Sequence, residues 1–297
     1  MQTKILCLVL LVAQVAHSQN FSEKISKELT FEKKSPDNAM VIANINGNVK
    51  VVGYEGEKIL LEVTKSINAK TEARLEKGKQ EIDLGIIDRA DTLIIYIKDG
   101  CNSFGKKTKE KNRTGWYPQG WGYQWDCQKN NCRPDYDYKM DFTIKVPATV
   151  HLILSTINEG DIIVENMKGI VMAGNINGSI RLTNLERETD ASTINGDVDI
   201  EYAQNPGKDC RFYSLNGDIN AMFQPGLAAN MSFESFNGNF YTNIEKLESL
   251  PVKVEKASQG DGIKYKVNGN RYQIGRGGAL LDFETFNGNV YLKEKTN

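Results

Sequence analysis

The chain has 297 residues, with 37 basic against 38 acidic side chains and a formal net charge of −1. That balance excludes the strongly basic surface of a nucleic-acid binder and gives no electrostatic reason for an anionic membrane as partner. Glycine is plentiful at 26 and proline scarce at 7, which suits many tight corners joining short strands.

Residues 1–18 read as a secretory signal peptide. Lys4 supplies a positive start, Ile5 to Ala13 form a short apolar core, and Ala16-His17-Ser18 offers small residues for cleavage before Gln19. The apolar run is too short to span a bilayer, and no later segment is apolar enough to anchor the chain. Cys7 lies inside the apolar core rather than after it, so it does not mark a lipid-attachment site. The expected destination is export: periplasmic, cell-surface or extracellular.

The remaining chain divides into three parts: N-terminal β turns over 19–99, a Cys/aromatic loop insertion over 100–137, and a repeat region over 138–297. In the first part Val41, Ala43, Ile45, Val49, Val51, Ile59, Leu61 and Val63 alternate with polar residues around the turn Gly53-Tyr54-Glu55-Gly56, the pattern of half-buried strands. Residues 66–80 are polar and fit one short helix or a charged edge, and no other substantial helix is expected after the signal peptide. Leu93, Ile95 and Ile97 resume the strand pattern.

The insertion breaks that pattern. A basic run (106–113) precedes Trp116, Tyr117, Trp121, Tyr123 and Trp125, which include every tryptophan of the protein. A long loop in a compact domain is usually functional or disordered, and rings on a pinned loop make a platform for sugar or protein partners. The same rings could instead cover an open end of the fold. With the signal removed, Cys101, Cys127, Cys132 and Cys210 remain, and an even count in an exported chain points to disulfides. The local pairs Cys101 with Cys127 and Cys127 with Cys132 both stay open, and Cys210 reads as a buried thiol among the repeats.

Tyr138, Met140, Phe142, Ile144 and Val146 form the cleanest alternating strand, which Pro147 ends. A recurring phrase follows: STINEGDI, GNINGSI, STINGDV, YSLNGDI, ESFNGNF and ETFNGNV, with an outlying copy, ANINGNV, at 43–49. Gly160, Gly178 and Gly196 are spaced by 18 residues, Gly196, Gly217 and Gly238 by 21, and Gly288 closes the series after a longer gap. That gap fits two atypical turns or a hairpin, since Ile263, Tyr265 and Val267 alternate. Such a period predicts a β-solenoid of 18–21-residue turns, in which only stacked turns bury a core. Asn-Gly is also a strong hairpin signal, but a hairpin requires neither a fixed period nor matched apolar columns on both sides of its turn. Asn46-Gly47, Asn177-Gly178, Asn195-Gly196, Asn216-Gly217, Asn237-Gly238 and Asn287-Gly288, with Gly160, are therefore assigned as structural corners.

Chemical signals are weak. His151 is the single histidine after the signal peptide, on the face of its strand opposite Val150 and Leu152, so a His-rich zinc site is excluded. Asp161, Asp197 and Asp218 follow corner glycines and could hold calcium if stacked, yet Ser179, Asn48, Asn239 and Asn289 take the same place, which favours a turn role. No metal, cofactor or catalytic residue is assigned.

The first turn ANINGNVKVVGYEGEKILLEV, the strand DFTIKVPATVHLILSTINEGDI and the series of NGD and NGN phrases to residue 240 together resemble the "putative adhesin" family, a domain of unknown function in exported and envelope-associated bacterial proteins. The resemblance implies an all-β solenoid and a non-enzymatic adhesive or structural role, with a cell-surface glycan or envelope protein as partner. It carries over no ligand or catalytic residue. The alternatives are a polysaccharide-active β-helix enzyme and a periplasmic partner in envelope signalling.

Overall fold

The computed structural model describes residues 19–106, 123–127, 134–251, 253–259, 262–268 and 270–296. The signal-peptide assignment lies outside them. The described chain is all-β with one helix, and most of its strands fall into a sheet of ten and a sheet of eleven. Strand alternation gives each sheet one apolar face, and these faces enclose one continuous core.

Each phrase joins a strand of one sheet to a strand of the other. Thr189–Asn195 lies in the eleven-stranded sheet, the chain turns at Gly196, and Val198–Tyr202 lies in the ten-stranded sheet. A hairpin would place both flanks side by side and antiparallel. Here every phrase strand pairs in parallel with the equivalent strand of another phrase. In the ten-stranded sheet Ile162, Ile180, Val198, Ile219, Val290 and Phe240 stand in one register column, and in the other sheet Ala173, Ala191, Phe212, Phe283 and Phe233 do the same. All but Phe240 are buried. Aromatic residues occupying one column meet ring to ring, Phe212 tilted against Phe283 at 4.9 Å and Tyr202 stacked on Phe223 at 5.0 Å, each pair adding about 1 kcal/mol beyond its buried area.

Spatial order departs from chain order at both ends. The outlying first phrase is stacked directly under the Gly160 phrase, with Val49–Tyr54 beside Ile162–Met167 and Ala39–Ala43 beside His151–Ser155. The intervening chain builds the neighbouring end of both sheets. Ile59–Ala69 runs antiparallel to Gln19–Leu29 and Asp137–Pro147, while Thr92–Lys98 pairs with Ala39–Ala43. At the other end the final phrase is not the final rung. Leu280–Asn287 is inserted between Cys210–Asn216 and Ala229–Asn237, and Val290–Glu294 between Ile219–Phe223 and Phe240–Thr242. The expected neighbours Gly217 and Gly238 are thus separated by Gly288. Of the two readings of the long gap, the hairpin is present: Lys253–Gln259 pairs antiparallel with Gly262–Asn268.

The polar stretch 66–80 divides. Strand Ile59–Ala69 continues through its first residues, and the helix Glu72–Glu81 begins after Thr71, whose hydroxyl accepts from the Arg74 N–H. Leu75 and Gly78 are the helix's buried residues, and a Cβ on Gly78 would lie about 3 Å from Ile67 and Tyr136, so the helix lies close on the end of the core.

Candidate binding surface

Three ladders of side-chain hydrogen bonds run the length of the phrase corners. In the first, each asparagine amide donates to the Oδ1 of the asparagine one rung away, from Asn158 to Asn46 at 3.2 Å and from Asn177, Asn195 and Asn216 onward at 2.8–3.0 Å. Asn287 donates to Asn216 at 2.8 Å and Asn237 to Asn287 at 2.9 Å, so the ladder follows space and not chain order. In the second, the residue after each glycine accepts from a backbone N–H of the next rung. Asp161 Oδ1 accepts from Ser179, Asp197 Oδ1 from Asp218, and Asp218 Oδ1 from Asn289, at 2.7–2.9 Å. The third is buried: Thr156, Asn175, Thr193 and Ser214 donate to glycine carbonyls of the adjacent rung at 2.8–2.9 Å. The corner carboxylates are thus engaged by backbone donors, which is the use a turn makes of them.

The glycines have a steric reason beyond turn conformation. A Cβ on Gly178 would lie 2.1 Å from the Gly160 carbonyl oxygen, and one on Gly217 would lie 2.1 Å from that of Gly196. Corners approach so closely that no side chain fits between them. Gly47, at φ +117°, also takes a backbone conformation that favours glycine, and Gly196 and Gly217, at +156°, stand at the edge of that region. The extra residue of STINEGDI, Glu159, is absorbed at φ 53° in the αL region.

The two apolar columns flanking the corners have different fates. The column after the corner is core. In the column before it, Ile157 packs against the core, Ile176, Ile194 and Leu215 are half-buried, and the column ends in Phe286 and Phe236, stacked at 4.8 Å with their planes 3° apart. Phe236 is 74% exposed and Phe286 45%. Across the same corner Tyr241 stacks on Tyr291 at 5.0 Å. The phrases FNGNF and FNGNV contain both phenylalanines, but their apolar character leaves open which face of the sheet they take.

Trp116, Tyr117, Trp121 and Cys132 lie outside the described residues. Tyr123, Trp125 and Cys127 belong to the strand Tyr123–Cys127, which pairs antiparallel with Asn102–Lys106, setting Trp125 opposite Phe104 and Cys127 opposite Asn102. Phe104 stacks on Tyr96 at 5.0 Å and packs against an outer cluster of Val41, Ile94 and Ile153, so the base of the insertion rests on the outer face of the eleven-stranded sheet. Cys210 is a free, buried thiol whose Sγ accepts from the Tyr202 hydroxyl and the Thr189 N–H, both at 3.4 Å. Burial raises its pKa, so it is held as the unreactive thiol. His151 is half-buried, and its Nδ1 accepts from the Ile170 N–H at 3.0 Å. Desolvation, and then the Arg187 charge, lower its pKa.

The sequence matches no family model and no curated protein. Among solved structures, the chain is similar to one described as a "putative cell adhesion protein" from Clostridium sporogenes, at 10% identity and a TM-score of 0.48, covering 93% of this chain and 100% of that one. It is also similar to a "putative adhesin" from Bacteroides fragilis, at 10% identity and a TM-score of 0.27, covering 92% and 97% of the two chains.

The outer face of the ten-stranded sheet carries a groove of about 330 Å³ lined by side chains of four adjacent rungs, among them Arg181, Asp199, Asn220 and Tyr291. Asn220 Nδ2 donates to Asp199 Oδ1 at 2.8 Å, and Arg181 lies 3.4 Å from the other oxygen of that carboxylate. Neither the groove nor the exposed aromatic pairs were among the residues assigned from sequence. Among the described residues no helix is long and apolar enough to cross a membrane.

Proposed function

We propose that the chain is an exported, non-enzymatic β-solenoid of the adhesin-like kind, acting as a surface module that binds a glycan or an envelope protein. The observation that carries this reading is the pair Phe236 and Phe286. Two rings held parallel on a rigid corner, largely exposed and outside the core, form a preorganised contact of the sort that anchors recognition. The aromatic insertion is the second expected contact, with Trp116, Tyr117, Trp121, Tyr123 and Trp125 as its rings. Its base is fixed to the sheet through Phe104.

The reading is tested by binding of the purified chain to glycans and bacterial envelope fractions, beside a variant in which residues 102–126 are replaced by a short linker and Phe236→Ser/Phe286→Ser. Binding by the intact chain and loss in either variant, with unfolding transitions preserved, supports the module. Absence of binding by the intact chain overturns it.

A further inference from the structure

Resting on the binding-module reading, one site can be given a ligand class. The groove on the ten-stranded sheet lies between two outward columns. Arg181, Asp199, Asn220 and Tyr291 stand in register on four rungs, and Glu201, Met222 and Lys293 stand two residues further along three of them. Tyr241 stacks on one face of the Tyr291 ring. The neighbouring rung on the other side carries Asn220, whose side chain is shorter than the ring, and the flexible Lys293 side chain places its ammonium over the ring at 5.7 Å from its centre, so a sugar packing on Tyr291 takes the place of that ammonium. We propose that this groove binds a neutral oligosaccharide, with one sugar ring packed on Tyr291 and its hydroxyls bonded to Asp199, Asn220 and Arg181.

Three features select that chemistry. A sugar ring has an apolar C–H face and a rim of hydroxyls that both donate and accept, and the groove offers an aromatic wall beside a carboxylate, an amide and a guanidinium. Its charges cancel: Asp199 and Glu201 oppose Arg181 and Lys293, so a polyanion meets repulsion from the acids and a polycation from the bases. The polar groups are also held before any ligand arrives. Asp199 accepts from Asn220 and pairs with Arg181, and Glu201 pairs with Lys295 at 2.7 Å, so little side-chain freedom is lost on binding. Asn220 gives one amide hydrogen to Asp199 and keeps a carbonyl oxygen to accept from a hydroxyl. The volume stands at the small end of ligand sites, which range over about 300–1,000 Å³, so the site takes one or two rings of a longer chain with a dissociation constant on the order of 1 mM.

The test titrates the full folded chain, by NMR shift perturbation, with neutral gluco-, manno-, xylo- and galacto-oligosaccharides and with oligogalacturonate as the acidic comparator. Tyr291→Ala is expected to weaken the neutral ligand about tenfold, the near-isosteric Asp199→Asn several-fold, and Tyr291→Phe very little. The proposal is overturned if no neutral oligosaccharide binds, if the acidic ligand binds more tightly, or if Asp199→Asn and Tyr291→Ala leave affinity unchanged. Envelope binding that survives the groove variants removes the groove and keeps the module, whereas loss of all binding by the intact chain removes both.

Discussion

The middle of the stack and its two ends are built from the same phrase but joined differently. Between Gly160 and Gly217, neighbours in space are also neighbours in sequence, 18 to 21 residues apart. At the ends, Asn158 finds Asn46 across 112 residues and Asn287 finds Asn216 across 71. The bonds are alike in length, so the phrase and not the connection specifies which rung accepts which. Chain length between rungs enters through loop-closure entropy, which grows only logarithmically, and matched corners, columns and ladders outweigh it. The price falls on kinetics, since non-local rungs form late.

The largest test of this comparison is steric. Gly178→Ala in the middle and Gly288→Ala at the inserted rung both drive a Cβ to about 2 Å from a backbone carbonyl, and each should cost about 4 kcal/mol or more in urea denaturation. Gly207→Ala, with nothing within 4 Å, should be close to neutral. A mild effect at Gly288 alone would mean that the inserted rung is held loosely.

Next comes the core of that rung. Phe283 is fully buried between Phe212 and Phe233, and Phe283→Ala should cost about 3–5 kcal/mol, whereas Phe286→Ala, on the outer face of the same strand, should cost less than about 1 kcal/mol. Equal effects would refute the assignment of inner and outer columns.

A smaller test compares single ladder bonds. Asn195→Ala in the middle and Asn287→Ala at the insertion should each cost about 1 kcal/mol, and their agreement within about 0.5 kcal/mol would show that local and long-range rungs use the ladder equally. The smallest effect concerns pH. Because His151 has a lowered pKa in the folded chain, the unfolded chain takes up its proton first. Stability is therefore complete above the ordinary histidine value of about 6.5 and falls as pH drops through it toward the folded value. Denaturation midpoints should decline between about pH 7.5 and 5.5, and His151→Gln should flatten that decline.

Particular residues show how much could be read directly. Ile162, Ile180, Val198 and Ile219 follow their corners at fixed spacing, so their column was visible from periodicity alone. Ile176, Ile194 and Leu215 are as apolar and as regular, yet they stay half-exposed: apolar character does not say on which side of a sheet a column falls, and only the pairing geometry did. The residues lining the groove gave no local signal. Arg181, Asp199 and Asn220 come together through the regular stacking of successive rungs, whereas Tyr291 joins them only because the last strand enters the stack out of order.

By itself, then, the sequence determined the corner chemistry, the strand period and the apolar columns, because these depend on backbone tolerance and alternation within a few residues. The order of the rungs, the insertion of the final strand, the outward aromatic pairs and the groove were decided by tertiary structure. Each depends on which distant strand offers the best-matched register, a choice among many nearly equivalent copies of one phrase that no local pattern can make.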